Sequence, residues 1–117
     1  MNKDEVFNYA KIAYEALDSK KGQNIEVLKI DRLTVLADYF VIAEGTSTTQ
    51  IKTLADTVEA MLEQTDLHLL HREGYNDGNW VLLDYGTLIV HVFSKETREF
   101  YNLEKLWADA EKVTIEL

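Results

Sequence analysis

The sequence predicts a single α/β domain built on a mixed sheet of about five strands flanked by helices. Helical and strand periodicities follow one another along the chain in the order α-β-β-α-β-β-β-α. A strand–helix–strand unit with further strands beside it implies both parallel and antiparallel pairs. The length of 117 residues suits one domain with a real core, and no linker, repeat or low-complexity tract divides residues 1–117.

The first half of the chain predicts a helix, two strands and a second helix. Residues 4–22 carry apolar side chains at helical spacing, with acids in the first turn. Residues 24–30 alternate and are rich in Ile and Val, which predicts a strand. Residues 37–45 form a nearly continuous apolar run, typical of a central strand covered on both faces. A hydroxyl side chain in 46–48 can cap the second helix, whose apolar face consists of Ile51, Leu54, Ala55, Val58, Met61 and Leu62.

The second half predicts three short strands and a final helix. Residues 67–73 form the first of these strands, and the polar, glycine-containing segment 74–79 is a loop. A hairpin follows over 79–93. The final helix covers 94–113, with Ser94 as its cap. Its apolar positions are Phe100, Tyr101, Leu103, Leu106 and Trp107. They predict the core face of this helix, or alternatively place Tyr101 and Trp107 at the edge of an interface.

The two faces of the hairpin differ in chemistry. If residues 84–87 are the turn, with Gly86 at its third position, Leu83 faces Leu88 and Trp80 faces His91. Side chains alternate across a strand, so one face is wholly apolar: Val81, Leu83, Leu88, Val90 and Val92. The other face mixes apolar and hydrogen-bonding groups, as binding surfaces do: Trp80, Leu82, Asp84, Thr87, Ile89, His91 and Phe93.

Composition limits the classes of partner. The formal net charge is −9, and the chain has no basic cluster beyond Lys20 and Lys21, which opposes binding to DNA or naked RNA. The same acidity permits a basic protein partner. The absence of cysteine excludes disulfides and thiolate metal sites. No apolar run is long enough to span a bilayer and no secretory signal is evident, so we expect a cytoplasmic protein without a membrane partner.

No motif for catalysis or metal binding stands out. The strand, Gly45-Thr46-Ser47 and helix in succession resemble the opening of nucleotidyltransferases, but those enzymes need a D-x-D pair that this chain lacks. Helix capping is the simpler interpretation. His68 and His71 would lie on opposite faces of a strand, and we expect all three histidines to be structural or surface residues.

Four segments resemble the ribosomal silencing factor, or Iojap-related, family. They are "ADYFVIAEGTS", "EG…W.LLDYG", "VHVF" and "REFYNLEKLW", and the similarity extends over nearly the whole chain. Glu44 departs from the Cys or Ser that the family often has. The resemblance implies a fold related to nucleotidyltransferases but without their catalytic carboxylates, no enzymatic activity and no cofactor. It also implies binding to the large ribosomal subunit through ribosomal protein fourteen, which blocks joining of the small subunit and slows translation when nutrients are scarce.

The positions that match the family supply the predicted site. Gly74, Leu103, Glu104 and Trp107 match without an assigned role. We expect partner contacts from Trp80, Leu82, Asp84, Tyr85, His91, Glu73 and Tyr101. Asp84 could instead serve only the turn. Two other functions stay open: a homodimer formed through the same hairpin face, and a metal-dependent nucleotidyltransferase, which the missing D-x-D opposes.

Overall fold

The computed structural model describes residues 2–116, which form one six-stranded mixed sheet with helices on both faces. The strand order is β3-β4-β5-β2-β1-β6, in which β2 and β5 are parallel and all other neighbours are antiparallel. The predicted mixed α/β class is confirmed. The elements are α1 (Lys3–Ser19), β1 (Gln23–Lys29), β2 (Tyr39–Gly45), α2 (Thr48–Glu63), β3 (His71–Glu73), β4 (Trp80–Asp84), β5 (Leu88–Ser94), α3 (Lys95–Tyr101), α4 (Leu103–Leu106) and β6 (Glu111–Val113).

One face of the sheet carries the main core. A row of aliphatic side chains crosses the strands from Leu83 through Val90 and Val41 to Val27, and all four are buried. The apolar faces of α1 and α2 pack onto this row. As predicted, β2 is central and buried along its whole length, and Ser47 caps α2 by accepting a hydrogen bond from the Gln50 backbone N–H. We call this face the helical face.

The opposite face is only partly covered. Leu103, Trp107 and Ala110 pack against a smaller buried cluster that includes Phe40 and Phe93. This cover lies over β1, β2 and β5 and leaves the outward side chains of β3 and β4 accessible. We call this the open face. No helix within residues 2–116 is both long and apolar enough to cross a membrane.

The predicted final helix is wrong in extent. Asn102 adopts a left-handed conformation (φ 45°), which ends α3 and starts the short helix α4. Beyond α4 the chain turns back and pairs Val113 with Val27, which adds a sixth strand to the predicted five. Three of the predicted core positions in this segment are exposed instead: Phe100 (80%), Tyr101 (53%) and Leu106 (73%).

Two details before this segment also differ. The strand predicted over 67–73 is only three residues long, because 67–70 has no regular structure. The hairpin turn lies one residue later than predicted, with Gly86 (φ 83°) at its first central position. Leu83 therefore pairs with Val90 and Trp80 with Phe93. The shift in pairing is two residues, so both predicted faces are preserved.

Candidate partner-binding surface

An aromatic cluster marks the boundary between the covered and uncovered parts of the open face. The Trp80 ring on β4 lies 4.8 Å from the Tyr101 ring on α3, measured between centroids, and 4.8 Å from the Phe93 ring on β5. The structure therefore brings together two predicted site residues that are far apart in sequence. Trp80 is half-buried and Tyr101 is exposed, so both rings have surface available to a partner.

His91 fixes the orientation of Trp80 from below. The indole Nε1–H of Trp80 donates a hydrogen bond of 3.1 Å to Nδ1 of His91. The imidazole is only 4% exposed and packs against Phe40 and Phe93. Burial lowers the pKa of His91 to about 4, so the ring is neutral at physiological pH and its Nδ1 lone pair stays free to accept. His91 is thus placed to support a contact residue from within the sheet.

The remaining accessible positions form a polar margin beside the rings. Glu73, Leu82 and His91 are cross-strand partners in one row, and His71 pairs with Asp84 in the next. Glu73 is exposed, whereas Leu82 and Asp84 are half-exposed. One oxygen of Asp84, Oδ1, accepts the Gly86 backbone N–H at 2.7 Å, so the turn role is present. This surface of Trp80, Tyr101, Leu82, Asp84 and Glu73 is called the aromatic surface below.

Tyr85 does not belong to this surface. Tyr85 is the first residue of the turn, and its ring lies on the helical face. There it packs in the main core, and the residue is only 5% exposed. A buried ring on the opposite side of the sheet has no direct access to a partner on the open face. Tyr85 and His91, which the sequence predicts as partner contacts, are both buried, because packing between elements decides which side chains reach solvent.

A buried ionic cluster, which the sequence analysis missed, attaches α3 to the sheet. Arg98 is 6% exposed and donates to the Asn24 backbone oxygen at 2.7 Å. It also forms ion pairs of 3.3 Å with Glu44, 3.3 Å with Glu104 and 3.8 Å with Glu26. The sequence feature that could have indicated this cluster is Glu44, which departs from the family pattern. A carboxylate in a fully buried strand requires a cation as its partner. The cluster fixes the helix that carries Tyr101.

The described residues do not assemble a metal-binding group. Within 2–116 no group of three or more His, Asp or Glu side chains is arranged to hold a metal ion. His68 lies in the irregular segment before β3, His71 lies on β3, and both are exposed. Ser47 at the start of α2 is occupied in capping. The groups that the aromatic surface presents offer apolar contact, hydrogen bonding and negative charge.

The fold and this surface define a small α/β domain whose sheet presents an aromatic, acid-rimmed face beside its short C-terminal helices. A crystal structure of a Chromobacterium violaceum protein has the same fold, with a TM-score of 0.85 and 33% identity, and covers 100% of this chain and 94% of that one. The family model described as "Ribosomal silencing factor during starvation" matches residues 3–117.

The chain belongs to the ribosomal silencing factor family, a family of ribosome-associated regulators of translation. It is 39% identical over 100 residues to a Bacillus subtilis ribosomal silencing factor, covering 86% of this chain and 85% of that protein. A mouse protein named for mitochondrial assembly of the ribosomal large subunit is 33% identical over 98 residues, covering 78% of this chain and 41% of that protein. The resemblance predicted from the four sequence segments is confirmed.

Proposed function

We propose that the aromatic surface binds ribosomal protein fourteen of the large ribosomal subunit and sterically blocks association with the small subunit, which slows translation under nutrient limitation. The observation that carries this proposal is the contact between Trp80 and Tyr101 on an uncovered part of the sheet. Family membership supports a ribosomal partner, and the name of the mouse relative supports the large subunit.

The contact is steric and involves no reaction. Trp and Tyr are favoured anchors in protein interfaces because each buries a large area with few rotatable bonds. Glu73 and Asp84 at the margin orient a basic partner, and a ribosomal protein that sits on RNA must be basic. A cytoplasmic location, with one domain over residues 1–117, completes the proposal. No enzymatic activity and no cofactor are part of it.

The decisive experiment follows subunit joining by sedimentation. Purified protein is mixed with isolated large subunits, small subunits are added, and the fraction of joined ribosomes is measured for wild type and Trp80→Ala. We expect wild type to block joining, and Trp80→Ala to lose about 2 kcal/mol or more of binding free energy, because a truncated anchor costs that much.

The matched control is Val35→Ala. Val35 is also apolar and fully exposed, at 103%, but lies in the loop between β1 and β2 and is not among the residues that define the aromatic surface. The Val35→Ala variant should block subunit joining to the same extent as wild type. Circular dichroism should show that both variants are folded. Full blocking by folded Trp80→Ala would move the site away from the aromatic surface. Failure of wild type to bind the large subunit would refute the function itself.

Self-association is the second candidate. The aromatic surface of one copy can pack against the same surface of a second copy across a two-fold axis. The acidic margin opposes this, because Glu73 and Asp84 of two copies would approach one another at a net charge of −9 each. Sedimentation velocity over a range of concentrations tests it: a dimer that dissociates on Trp80→Ala substitution would place the homodimer on this surface.

A further inference from the structure

The corner between α3 and α4 leaves large apolar side chains in solvent beside the aromatic surface. Phe100 is 80% exposed and Leu106 is 73% exposed, although apolar periodicity predicts both as core positions. The corner forms a shallow, open depression of about 580 Å³, lined by Glu99, Phe100, Tyr101, Asn102, Lys105 and Leu106. A single exposed leucine is common on a protein surface, whereas a contiguous group of large apolar side chains indicates an interaction site.

Ring contacts make this depression continuous with the aromatic surface. The centroids of the Phe100 and Tyr101 rings lie 5.0 Å apart, with an angle of 80° between the ring planes. Tyr101 in turn lies 4.8 Å from Trp80. A partner that packs on Trp80 and Tyr101 therefore approaches Phe100 as well.

The residues that define the aromatic surface are too few for a stable protein complex. Specific interfaces bury about 800 Å² on each partner and involve about 20 residues or more on each side. The sheet ends at β3 in one direction, and Leu103, Trp107 and Ala110 cover its cluster in the other. On the α3–α4 corner, by contrast, exposed apolar surface continues to Phe100 and Leu106.

The charge around the depression is balanced. Its lining contains one carboxylate, Glu99, and one ammonium group, Lys105. The polar margin of the aromatic surface instead carries the carboxylates of Glu73 and Asp84. The corner therefore gives a charged group no electrostatic advantage, and its large exposed side chains favour an apolar one.

Hydrogen bonds hold the corner in a fixed shape. The Asn102 backbone N–H donates to the Arg98 backbone oxygen at 2.8 Å, and the Lys105 backbone N–H donates to Oδ1 of Asn102 at 3.2 Å. Arg98 is itself anchored in the buried ionic cluster. A surface that is ordered before binding loses little conformational entropy when a partner docks.

We propose that the α3–α4 corner is the apolar part of the partner interface, where Phe100 and Leu106 pack against an apolar side chain of the same ribosomal protein that contacts Trp80 and Tyr101. This inference rests on the proposed function and adds two contact residues to it. The acidic margin orients the basic partner, and the corner supplies apolar contact that does not depend on salt.

Affinity for isolated large subunits tests the corner separately from the proposed function. Binding is measured for wild type, Trp80→Ala, Phe100→Ala and Leu106→Ala. We expect Phe100→Ala and Leu106→Ala each to weaken binding about fivefold or more by raising the dissociation rate, with an unchanged dependence on salt. Leu36→Ala is the matched control, because Leu36 is 76% exposed but lies in the loop between β1 and β2 and does not line the depression.

Stability and a conservative variant distinguish contact from folding. Because both side chains are exposed, the free Phe100→Ala and Leu106→Ala proteins should melt at the temperature of wild type. Phe100→Leu keeps an apolar side chain and should recover most of the affinity. If both alanine variants bind as tightly as Leu36→Ala while Trp80→Ala binds weakly, the inference is overturned and the proposed function stands. Absence of binding by wild type would overturn both.

Photocrosslinking identifies the occupant of the corner. Phe100 is replaced by the photoreactive analogue benzoylphenylalanine in the full chain, the complex with large subunits is irradiated, and the crosslinked protein is identified by mass spectrometry. We expect a crosslink to ribosomal protein fourteen, the same product that the analogue gives at position 80. A crosslink from position 100 to a different ribosomal protein, or to a second copy of this chain, would contradict the inference.

Discussion

The hydrogen bond between Trp80 and His91 determines the tautomer of the imidazole and the orientation of the indole. Because Nδ1 of His91 accepts the indole N–H at 3.1 Å, the proton of the neutral imidazole resides on Nε2. A charged imidazole would carry hydrogen on both nitrogens and would lose this bond. Deep burial opposes the charged form in any case, since the ring is 4% exposed. The orientation of Trp80 therefore depends on His91 remaining neutral.

Protonation of His91 should make stability depend on pH. The pKa is about 4 in the folded protein and about 6.5 in an unfolded chain. The unfolded state therefore binds more protons between these values, and stability is full above pH 6.5 and is lost as the pH falls towards 4. The loss attributable to His91 should be on the order of 3 kcal/mol. Urea denaturation at a series of pH values measures it.

His91→Asn is the reference variant for this measurement. It cannot titrate, while the carboxylates that protonate near pH 4 are common to both proteins and cancel. The difference in unfolding free energy between wild type and His91→Asn should therefore shrink as the pH falls from 7 to 4. A difference that stays constant over this range would show that His91 is not held neutral.

At the scale of elements, Arg98 connects α3 to the two strands beneath it. Replacing it with Met would leave the buried Glu44 without its cation, next to Glu26 and Glu104. Removal of one partner from a buried ion pair costs about 3–5 kcal/mol, so Arg98→Met should lower the unfolding free energy by that amount. Arg72→Met is the control, since the Arg72 side chain is 41% exposed and its pair with Glu59 should contribute about 1 kcal/mol or less.

The position of α3 can be measured separately from the stability of the whole domain. If the ionic cluster positions this helix, Arg98→Met in a Trp107→Phe background should also change the fluorescence of Trp80, because Tyr101 would shift relative to the indole. Addition of Glu44→Gln should recover part of the lost stability by removing the unpaired charge. Equal losses for Arg98→Met and Arg72→Met would contradict this role for the cluster.

Gly74 shapes the loop that leads into β4. Its φ of +78° is a left-handed conformation, and an added Cβ would lie 2.0 Å from the Trp80 backbone oxygen. Gly74→Ala should therefore displace the start of β4 and lower the unfolding free energy by more than about 4 kcal/mol. Gly86→Ala is the matched control, because φ is +83° there but the nearest atom is a Leu70 methyl at 3.2 Å. Its cost should be about 1–2 kcal/mol, and chemical denaturation should resolve the difference.

The parts of the fold that the sequence predicts are those in which local pattern and tertiary packing agree. β2, α2 and the two hairpin faces were predictable because burial is continuous along β2, follows the helical period of 3.6 residues along α2, and alternates along β4 and the start of β5. The C-terminal segment was not, because its outcome depends on Asn102 accepting a left-handed conformation and on Val113 pairing with β1. Periodicity carries no information on either event.

The same distinction applies to the candidate site. Alternation along β4 and β5 correctly separated the face of Trp80 and Leu82 from the core. It could not show that the rings of Phe40, Trp80 and Phe93 bury His91, nor that the turn would bury Tyr85 on the helical face. Both outcomes depend on contacts between elements that are distant in sequence. The residues that match the family motifs therefore include buried groups that hold the fold as well as accessible groups that can contact a partner.

The net negative charge of the whole molecule affects both the affinity and the selectivity of binding. A net charge of −9 repels the phosphate backbone of ribosomal RNA and attracts a basic protein on its surface. On the aromatic surface two of these acids, Glu73 and Asp84, lie on the strands β3 and β4 beside the apolar Trp80. Charges at a margin mainly set the association rate, whereas a buried anchor mainly sets the dissociation rate.

This division predicts how salt should act on binding to isolated ribosomal protein fourteen. The association rate of wild type should fall about tenfold or more as salt rises, and Asp84→Asn should lower it at low salt and reduce its dependence on salt. Trp80→Ala should raise the dissociation rate and leave the salt dependence unchanged. Asp109→Asn, an equal charge change outside the aromatic surface, is the control, and stopped-flow mixing gives both rates. Identical behaviour of Asp84→Asn and Asp109→Asn would mean that only the net charge matters and that the margin of the aromatic surface does not steer the partner.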